Sequence, residues 1–316
     1  MKKTRVFIDG KEGTTGLKIH DRLKYIKDIE LISLNEADRK NINKRKEALN
    51  SCDIAFLCLP DAAAAEAADM IENDNVILID TSTAHRTEPG WTYGFPELGK
   101  KHTEKIINSK RIAVPGCHAS GFIVLIYPLI ENNIISERAG LTTFSITGYS
   151  GGGRKMIAEY ESCERDKKYG SPRQYAITQK HKHLKEMIYV TGLNREPVFC
   201  PIVADFYSGM EVTVALFKED LLNGNTVEDI KSIYKNKYNG KIVKYVENDD
   251  DNGFLEADYM AGFDNMIISV HGNDERILLT ARYDNLGKGA SRAAIERINY
   301  KLGKYITDAL NIKECL

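Results

Sequence analysis

The sequence predicts an α/β protein of two unlike domains. A Rossmann-like, doubly wound parallel sheet comes first, then an α+β domain on a mainly antiparallel sheet. Three observations predict this. Short apolar strands alternate with helical stretches through the first third of the chain, and a glycine-rich turn joins the first strand to the first helix. Beyond Cys117 the strands lengthen and take up period-two alternation. A chain of 316 residues also exceeds what one core usually organises.

The elements follow in order. Arg5-Val-Phe-Ile-Asp is an apolar strand, with a helix expected from Thr15 to Tyr25 and a second strand from Ile29 to Leu34. Asp53-Ile-Ala-Phe-Leu-Cys-Leu is almost wholly apolar, as a parallel strand buried on both faces must be. Pro60 and Asp61 open an alanine-rich helix reaching Met70, with Asp61 suited to the N-cap. Val76–Asp80 and Arg111–Val114 complete the parallel set. After a helix from Cys117 to about Ile130, strands are expected at 141–147 and 210–217. A hairpin turning on His271-Gly-Asn-Asp-Glu joins two more. Asn248-Asp-Asp-Asp-Asn-Gly reads as a solvated loop, and Lys288 to Leu310 as a final helix. The implied domains are 1–116 for a dinucleotide, 117–285 for catalysis and 286–316 for the closing helix.

Asp9-Gly10-Lys-Glu-Gly13-Thr14-Thr15-Gly16 has the setting of a pyrophosphate turn. Glycines let backbone N–H groups approach the phosphates, which rest at the positive end of the following helix. Past the second strand, Ser33 and Asn35 offer neutral hydrogen bonds, while Arg39 and Lys40 suit a 2′-phosphate. Glu36 could instead bind ribose hydroxyls; the balance of charge favours NADP.

Val114-Pro115-Gly116-Cys117-His118 sets a thiol at a helix N-terminus, where unpaired N–H groups and the dipole favour thiolate. His118, merely adjacent in sequence, is read as structural. His181-Lys-His183-Leu-Lys-Glu186 supplies a base. On a helix His183 and Glu186 share a face, so the carboxylate can orient the imidazole, whereas His181 would face elsewhere. The interleaved lysines also fit a solvated basic surface. A second glycine loop, Gly148-Tyr-Ser150-Gly151-Gly-Gly-Arg154, suits a close backbone approach to nicotinamide and substrate.

Charge and composition narrow the function further. The formal net charge is -1, giving no field for nucleic acid or an anionic membrane. No apolar run reaches spanning length, and the strand pattern starts too early for a signal peptide. The six cysteines show no disulfide or metal-ligand spacing, so no metal is expected and a reducing cytoplasm is the simplest compartment. Cys52, Cys58 and Cys200 read as small core residues.

Taken in order, six strings resemble the short form of the N-acetyl-γ-glutamyl-phosphate reductase family, in the semialdehyde dehydrogenase superfamily. They are Gly10-x-x-Gly13-Thr-Thr-Gly16, Asp80-Thr-Ser82-x-x-x-Arg86, Pro115-Gly-Cys117, Gly148-x-Ser150-Gly-x-Gly-Arg154, His181-x-His183-x-x-Glu186 and Asp284-Asn285-Leu-Gly-Lys288-Gly-Ala. The resemblance implies a glyceraldehyde-3-phosphate dehydrogenase-like fold whose last helix returns to the first domain, and a homodimer or homotetramer. It implies NADPH-dependent reduction of an acyl phosphate through a thioester on Cys117, with His183 as acid/base and Glu186 as its partner. Cofactor contacts are expected from Gly10, Gly13, Thr14, Thr15, Gly16, Ser33, Arg39, Ser150, Gly151, Asn285 and Lys288. Substrate contacts fall to Arg86, Arg154 and His181, with phosphate and carboxylate not apportioned between the arginines. After Lys288 the chain departs from the family's small residues by carrying Arg292 and Arg297. Aspartate-semialdehyde and glyceraldehyde-3-phosphate dehydrogenases share the covalent logic but surround their cysteine differently. A non-catalytic NADP-binding regulator would have no need of both Cys117 and His183.

Overall fold

The structure, a computed structural model, describes residues 3–11, 13–288 and 310–314. The final helix expected after Lys288, with Arg292 and Arg297, lies outside these residues. The described chain divides into two compact units, one of residues 3–96 and 100–115, the other of 97–99, 116–288 and 310–314.

The first unit contains β1 (Thr4–Asp9), α1 (Thr14–Leu23), β2 (Ile29–Ile32), α2 (Ile42–Ser51), β3 (Ile54–Leu57), α3 (Asp61–Asp69), β4 (Ile77–Asp80), β5 (Thr92–Tyr93), α4 (Lys100–Asn108) and β6 (Arg111–Ala113). The strands are all parallel, in the order β2-β1-β3-β4-β6-β5. Alternation along each strand builds two cores. Val6, Ile8, Ile54, Phe56, Ile77 and Ile79 meet Ile19 and Leu23 of α1 and Ile106 of α4. Phe7, Ala55, Leu57 and Leu78 meet Ala48 and Leu49 of α2 and the alanines of α3. Small side chains on α3 let that helix sit close to the sheet. Asp61 is the first residue of α3 and not its N-cap: its carboxylate accepts from the backbone N and hydroxyl of Thr83. Sequence periodicity did not mark α2, whose start is fixed by Asn41 accepting from the N–H groups of Asn43 and Lys44.

The second unit contains α5 (Cys117–Glu131), β7 (Thr142–Gly148), α6 (Gly153–Glu161), β8 (Arg173–Gln174), α7 (His183–Thr191), β9 (Val198–Ala204), β10 (Met210–Phe217), α8 (Val227–Lys237), β11 (Val243–Tyr245), β12 (Met266–Gly272) and β13 (Arg276–Tyr283). Its sheet runs β11-β12-β13-β10-β7-β9-β8. The ladders β12–β13, β13–β10, β10–β7 and β9–β8 are antiparallel; β11–β12 and β7–β9 are parallel. The expected hairpin is β12–β13, and Gly272 at φ 101° makes its turn.

One face of this sheet carries Val212, Val214, Leu216, Leu279 and Ala281, buried beneath helices that include α5. The other face leaves Phe144, Val198 and Leu278 exposed, with Cys200 partly buried opposite Phe144. Cys200 is therefore not a core residue. Asp249 corrects the solvated-loop expectation as well: its side chain is buried and bonded to Arg282 and Ser269.

α5 runs through the interior, with Phe122 to Ile126 fully buried. Pro128 inside it lacks the N–H that the Val124 carbonyl would otherwise accept from. Tyr238 donates to that carbonyl at 2.8 Å, and Tyr234 donates to the next, Leu125, at 2.6 Å. Tyr283 donates to the Cys117 carbonyl at 2.6 Å and accepts from the N–H of Gly121. Three buried hydroxyls thus hold the helix that presents Cys117.

Candidate active site

The first unit places the glycine turn at the carboxyl end of β1, where the sheet order reverses between β1 and β3, the usual ligand crevice of such sheets. Gly10 adopts φ 84°, and a Cβ there would overlap the carbonyl oxygen of Cys58. A Cβ on Gly16 would stand 2.6 Å from the Gly10 carbonyl oxygen. Gly13 is the N-cap of α1, and no side chain caps the helix. Thr14 and Thr15 form its first turn, so backbone N–H groups face the turn as an anion requires.

A cavity of about 630 Å³ opens here, lined by Gly10, Gly13, Ser33, Arg39, Lys40 and Arg45 among others. Arg45 was not foreseen. It lies on α2 and binds the buried Asp9 carboxylate through Nε and Nη2 at 3.1 and 2.9 Å. It thereby offsets an acid that stands beside the phosphate turn. No local pattern announces this, because the pair spans 36 residues. Asn35 is engaged with Asp38 through both its amide groups, and Glu36 does not line the cavity. These residues fit a dinucleotide: backbone clearance at the turn, an uncapped helix and cations beyond β2.

Arg86 is in the same unit and buried. Its Nε donates to the Val114 carbonyl at 2.9 Å and one terminal nitrogen to the Thr81 carbonyl at 3.2 Å. The buried Asp80 carboxylate binds Ser82 and His85, and His85 stacks on Trp91 with centroids 3.9 Å apart. Together these contacts fix the strand-end loop that carries Arg86.

The second unit assembles the thiol site. Gly116 is the N-cap of α5 and Cys117 its first residue, partly exposed. Glu186 on α7 is buried and accepts from the Gly116 N–H at 3.1 Å. Its other oxygen lies 3.9 Å from Nε2 of His183, a charge contact too long for a hydrogen bond. His183, Glu186 and the cysteine turn are therefore one cluster. Helical spacing does not separate the two histidines as expected, since α7 begins at His183 and leaves His181 before it. The two rings meet edge to face with centroids 4.7 Å apart.

His118 is buried at the centre of this group, its ring 5.8 Å from that of His181 and 5.6 Å from that of His183. Its Nδ1 lies 2.6 Å from Ser145 Oγ and its Nε2 2.6 Å from Tyr175 Oη. Burial, reinforced by His181, pushes its pKa down to about 3, so the ring is neutral. Burial, and secondarily the nearby Cys117, raises Tyr175 well above the ordinary phenol range and keeps it protonated. Tyr175 went unnoticed in the sequence because it follows the two-residue β8 in an irregular segment.

Ser150 and Asn285 are brought together: the Asn285 amide donates to Ser150 Oγ at 3.0 Å and its carbonyl accepts from Gly209. Gly151 lies against that amide. Lys288 is buried and paired with Glu97 at 2.6 Å, which commits its charge to a protein carboxylate. Arg154 stands exposed in the first turn of α6.

Comparison with known proteins bears on this geometry. Residues 4–106 match the model for the semialdehyde dehydrogenase NAD binding domain, and 117–285 that for the semialdehyde dehydrogenase dimerisation domain. The chain is 41% identical to N-acetyl-gamma-glutamyl-phosphate reductase 2 of Nostoc sp., covering 96% of this chain and 98% of that protein. It is 42% identical to the N-acetyl-gamma-glutamyl-phosphate reductase of Rhizobium meliloti, covering 95% and 99%. Among solved structures, aspartate semialdehyde dehydrogenase from Francisella tularensis superposes with a TM-score of 0.71 at 14% identity, covering 95% of this chain and all (100%) of that one. The Candida albicans enzyme solved with NADP gives 0.65 at 14% identity, covering 96% and 100%. At such identities these structures speak for the fold alone.

Proposed function

Because the chain belongs to the semialdehyde dehydrogenases, and among them to the N-acetyl-γ-glutamyl-phosphate reductases, we propose that it reduces N-acetyl-γ-glutamyl phosphate to N-acetylglutamate 5-semialdehyde in arginine biosynthesis, as a cytoplasmic enzyme. The observation that carries the chemistry is the joining of Cys117, at the first position of a buried helix, to a histidine and carboxylate through the Gly116–Glu186 hydrogen bond.

Cys117, as thiolate, attacks the acyl carbon; the C–S bond forms, the C–O bond to phosphorus breaks, and inorganic phosphate leaves a thioester. His183 supplies the proton the departing thiolate takes when the aldehyde is released, and Glu186 holds the imidazole's charge beside it. Bound NADPH supplies the hydride that reduces the thioester. Residues 1–116 hold it, through the turn Gly10–Gly16, with Ser33, Arg39 and Lys40 toward the 2′-phosphate; Ser150 and Gly151, fixed by Asn285, serve its nicotinamide end. Arg86, Arg154 and His181 bind the substrate's anionic groups, the planar guanidinium suiting phosphate or carboxylate alike.

Residues 117–285 also carry self-association. Phe144, Val198 and Leu278, exposed on one face of the sheet, support a homodimer formed face to face, since such apolar patches are costly to hydrate.

The test is an assay in the reverse direction. With phosphate and NADP, N-acetylglutamate semialdehyde should generate NADPH absorbance at least about 100-fold faster than aspartate semialdehyde, a floor below the roughly 10⁴-fold that a site built to hydrogen-bond a polar substituent reaches. The opposite preference would transfer the chain's activity to the aspartate substrate.

A further inference from the structure

The thiolate's attack pushes the carbonyl π electrons onto oxygen, and that oxyanion needs a donor. Backbone N–H groups at the start of α5 are the obvious source. The one on Gly116, however, is taken by Glu186. Another donor lies in the chain Ser145, His118 and Tyr175.

His118 is neutral, so one ring nitrogen donates and the other accepts. Two directions are open. If Tyr175 donated to Nε2, Nδ1–H would donate to Ser145 Oγ, and the Ser145 proton would then have no acceptor. Ser145 is fully buried, and among the described residues its hydroxyl has no hydrogen-bond partner except His118. A buried hydroxyl proton without an acceptor is costly. In the other direction Ser145 donates to Nδ1 and Nε2–H donates to Tyr175 Oη, so the one proton left over belongs to Tyr175, which is only partly buried. The Tyr175 proton is then turned away from His118. Among the described residues nothing else accepts from that hydroxyl.

We propose that Tyr175 is a catalytic residue, its hydroxyl donating to the acyl oxygen as Cys117 attacks, and that Ser145 and His118 are positioning residues that set the direction of its proton. The proposal rests on the thioester chemistry above. In the step itself the C–S bond forms, the oxygen takes the π electrons while bonded to Tyr175, and their return expels phosphate. Tyr175 keeps its proton throughout.

The experiment is a stopped-flow phosphate burst with N-acetyl-γ-glutamyl phosphate and no nicotinamide, so only acyl transfer is read. Tyr175→Phe should slow the burst about 100-fold, the usual loss for one oxyanion donor, with its amplitude still near one per active site. The loss should be the same at every pH from about 6 to about 9, because no proton is transferred. A burst within about threefold of the unsubstituted protein overturns the proposal, as does a loss confined to one limb of the pH profile. Ser145→Ala and Ser145→Thr give a second reading that does not depend on Tyr175→Phe folding. The alanine variant should be slowed, and the threonine variant, which keeps the hydroxyl, should recover most of the rate; equal rates for the two overturn the positioning role. If the unsubstituted protein gives no burst, the acyl-phosphate reading fails instead, which separates the two claims.

Discussion

The glycine turn and the thiol site use opposite means. The turn works by backbone: Gly10 and Gly16 matter because a Cβ would strike the carbonyls of Cys58 and Gly10. The thiol site works by side chains, with Cys117, His118, Tyr175, His181, His183 and Glu186 drawn from α5, α7 and the segment between β8 and α7. A backbone site tolerates change in whatever lines it at a distance; a side-chain site fails at single atoms. Substitutions at the two should therefore differ in both size and kind of effect.

The sharpest contrast comes from Cys117→Ser. Turnover should fall by more than about 10⁴-fold, as loss of a covalent nucleophile does, with NADP affinity, measured by fluorescence titration, within about twofold. A serine variant with most of its rate would remove the thioester. The neighbouring thiols give an internal control, since burial pushes both Cys52 and Cys58 up to about 12. Alkylation near neutral pH should reach Cys117 well before either.

His183→Asn should cost about 10²- to 10⁴-fold in kcat at saturating substrate, the range for a general acid/base. His181→Asn should cost much less in kcat and show mainly in KM, as a contact to the substrate's phosphate would. With the rings in edge contact, geometry no longer separates them by direction. The remaining distinction is that His183 sits 3.9 Å from Glu186. A deader His181→Asn variant would reverse the assignment.

At the turn, the effects shift from rate to affinity. Arg39→Ala combined with Lys40→Ala should weaken NADP by about tenfold, near 1.4 kcal/mol, while NAD, lacking the phosphate, changes little. An unchanged preference would move the phosphate to Ser33 and backbone groups, and would make the turn more purely a backbone site than proposed.

These differences also explain what the sequence disclosed. The parallel strands, the turn and the hairpin were legible because each is coded within about a dozen neighbouring residues by alternation or glycine. β10 agrees with its expected bounds for that reason. The site was legible only as far as motifs reach. Cys117, His183 and Glu186 sit in short strings, but Ser145 and Tyr175 meet His118 across 27 and 57 residues. Likewise Arg45 meets Asp9 by helix placement alone. Asp249 looked solvated because its neighbours are acids, and only the fold reveals Arg282 beside it.

The last effect is on stability and concerns His118. An unfolded imidazole titrates near ~6.5, whereas the buried ring, facing His181, His183 and Tyr175, is held near about 3. Between those values the unfolded chain binds the additional proton. The ring's contribution to stability is thus complete above about pH 6.5 and is lost as pH falls toward about 3, by about 1.4 kcal/mol per pH unit. Urea midpoints at about pH 7 and about pH 5 should separate more widely for the unsubstituted protein than for His118→Gln. Equal separations would mean the imidazole is not kept neutral.

The second sheet ends in short strands, β8 of two residues and β11 of three. A long, flat edge is a template on which a foreign strand can extend a ladder, and brevity is one way natural sheets deny it. Here the ends of the sheet offer two or three rungs while its broad face is left open. In the face-to-face dimer proposed above, contact runs perpendicular to the strands' hydrogen bonds. Contact in that direction is finished by a single partner, whereas growth along the ladder would have no natural stop.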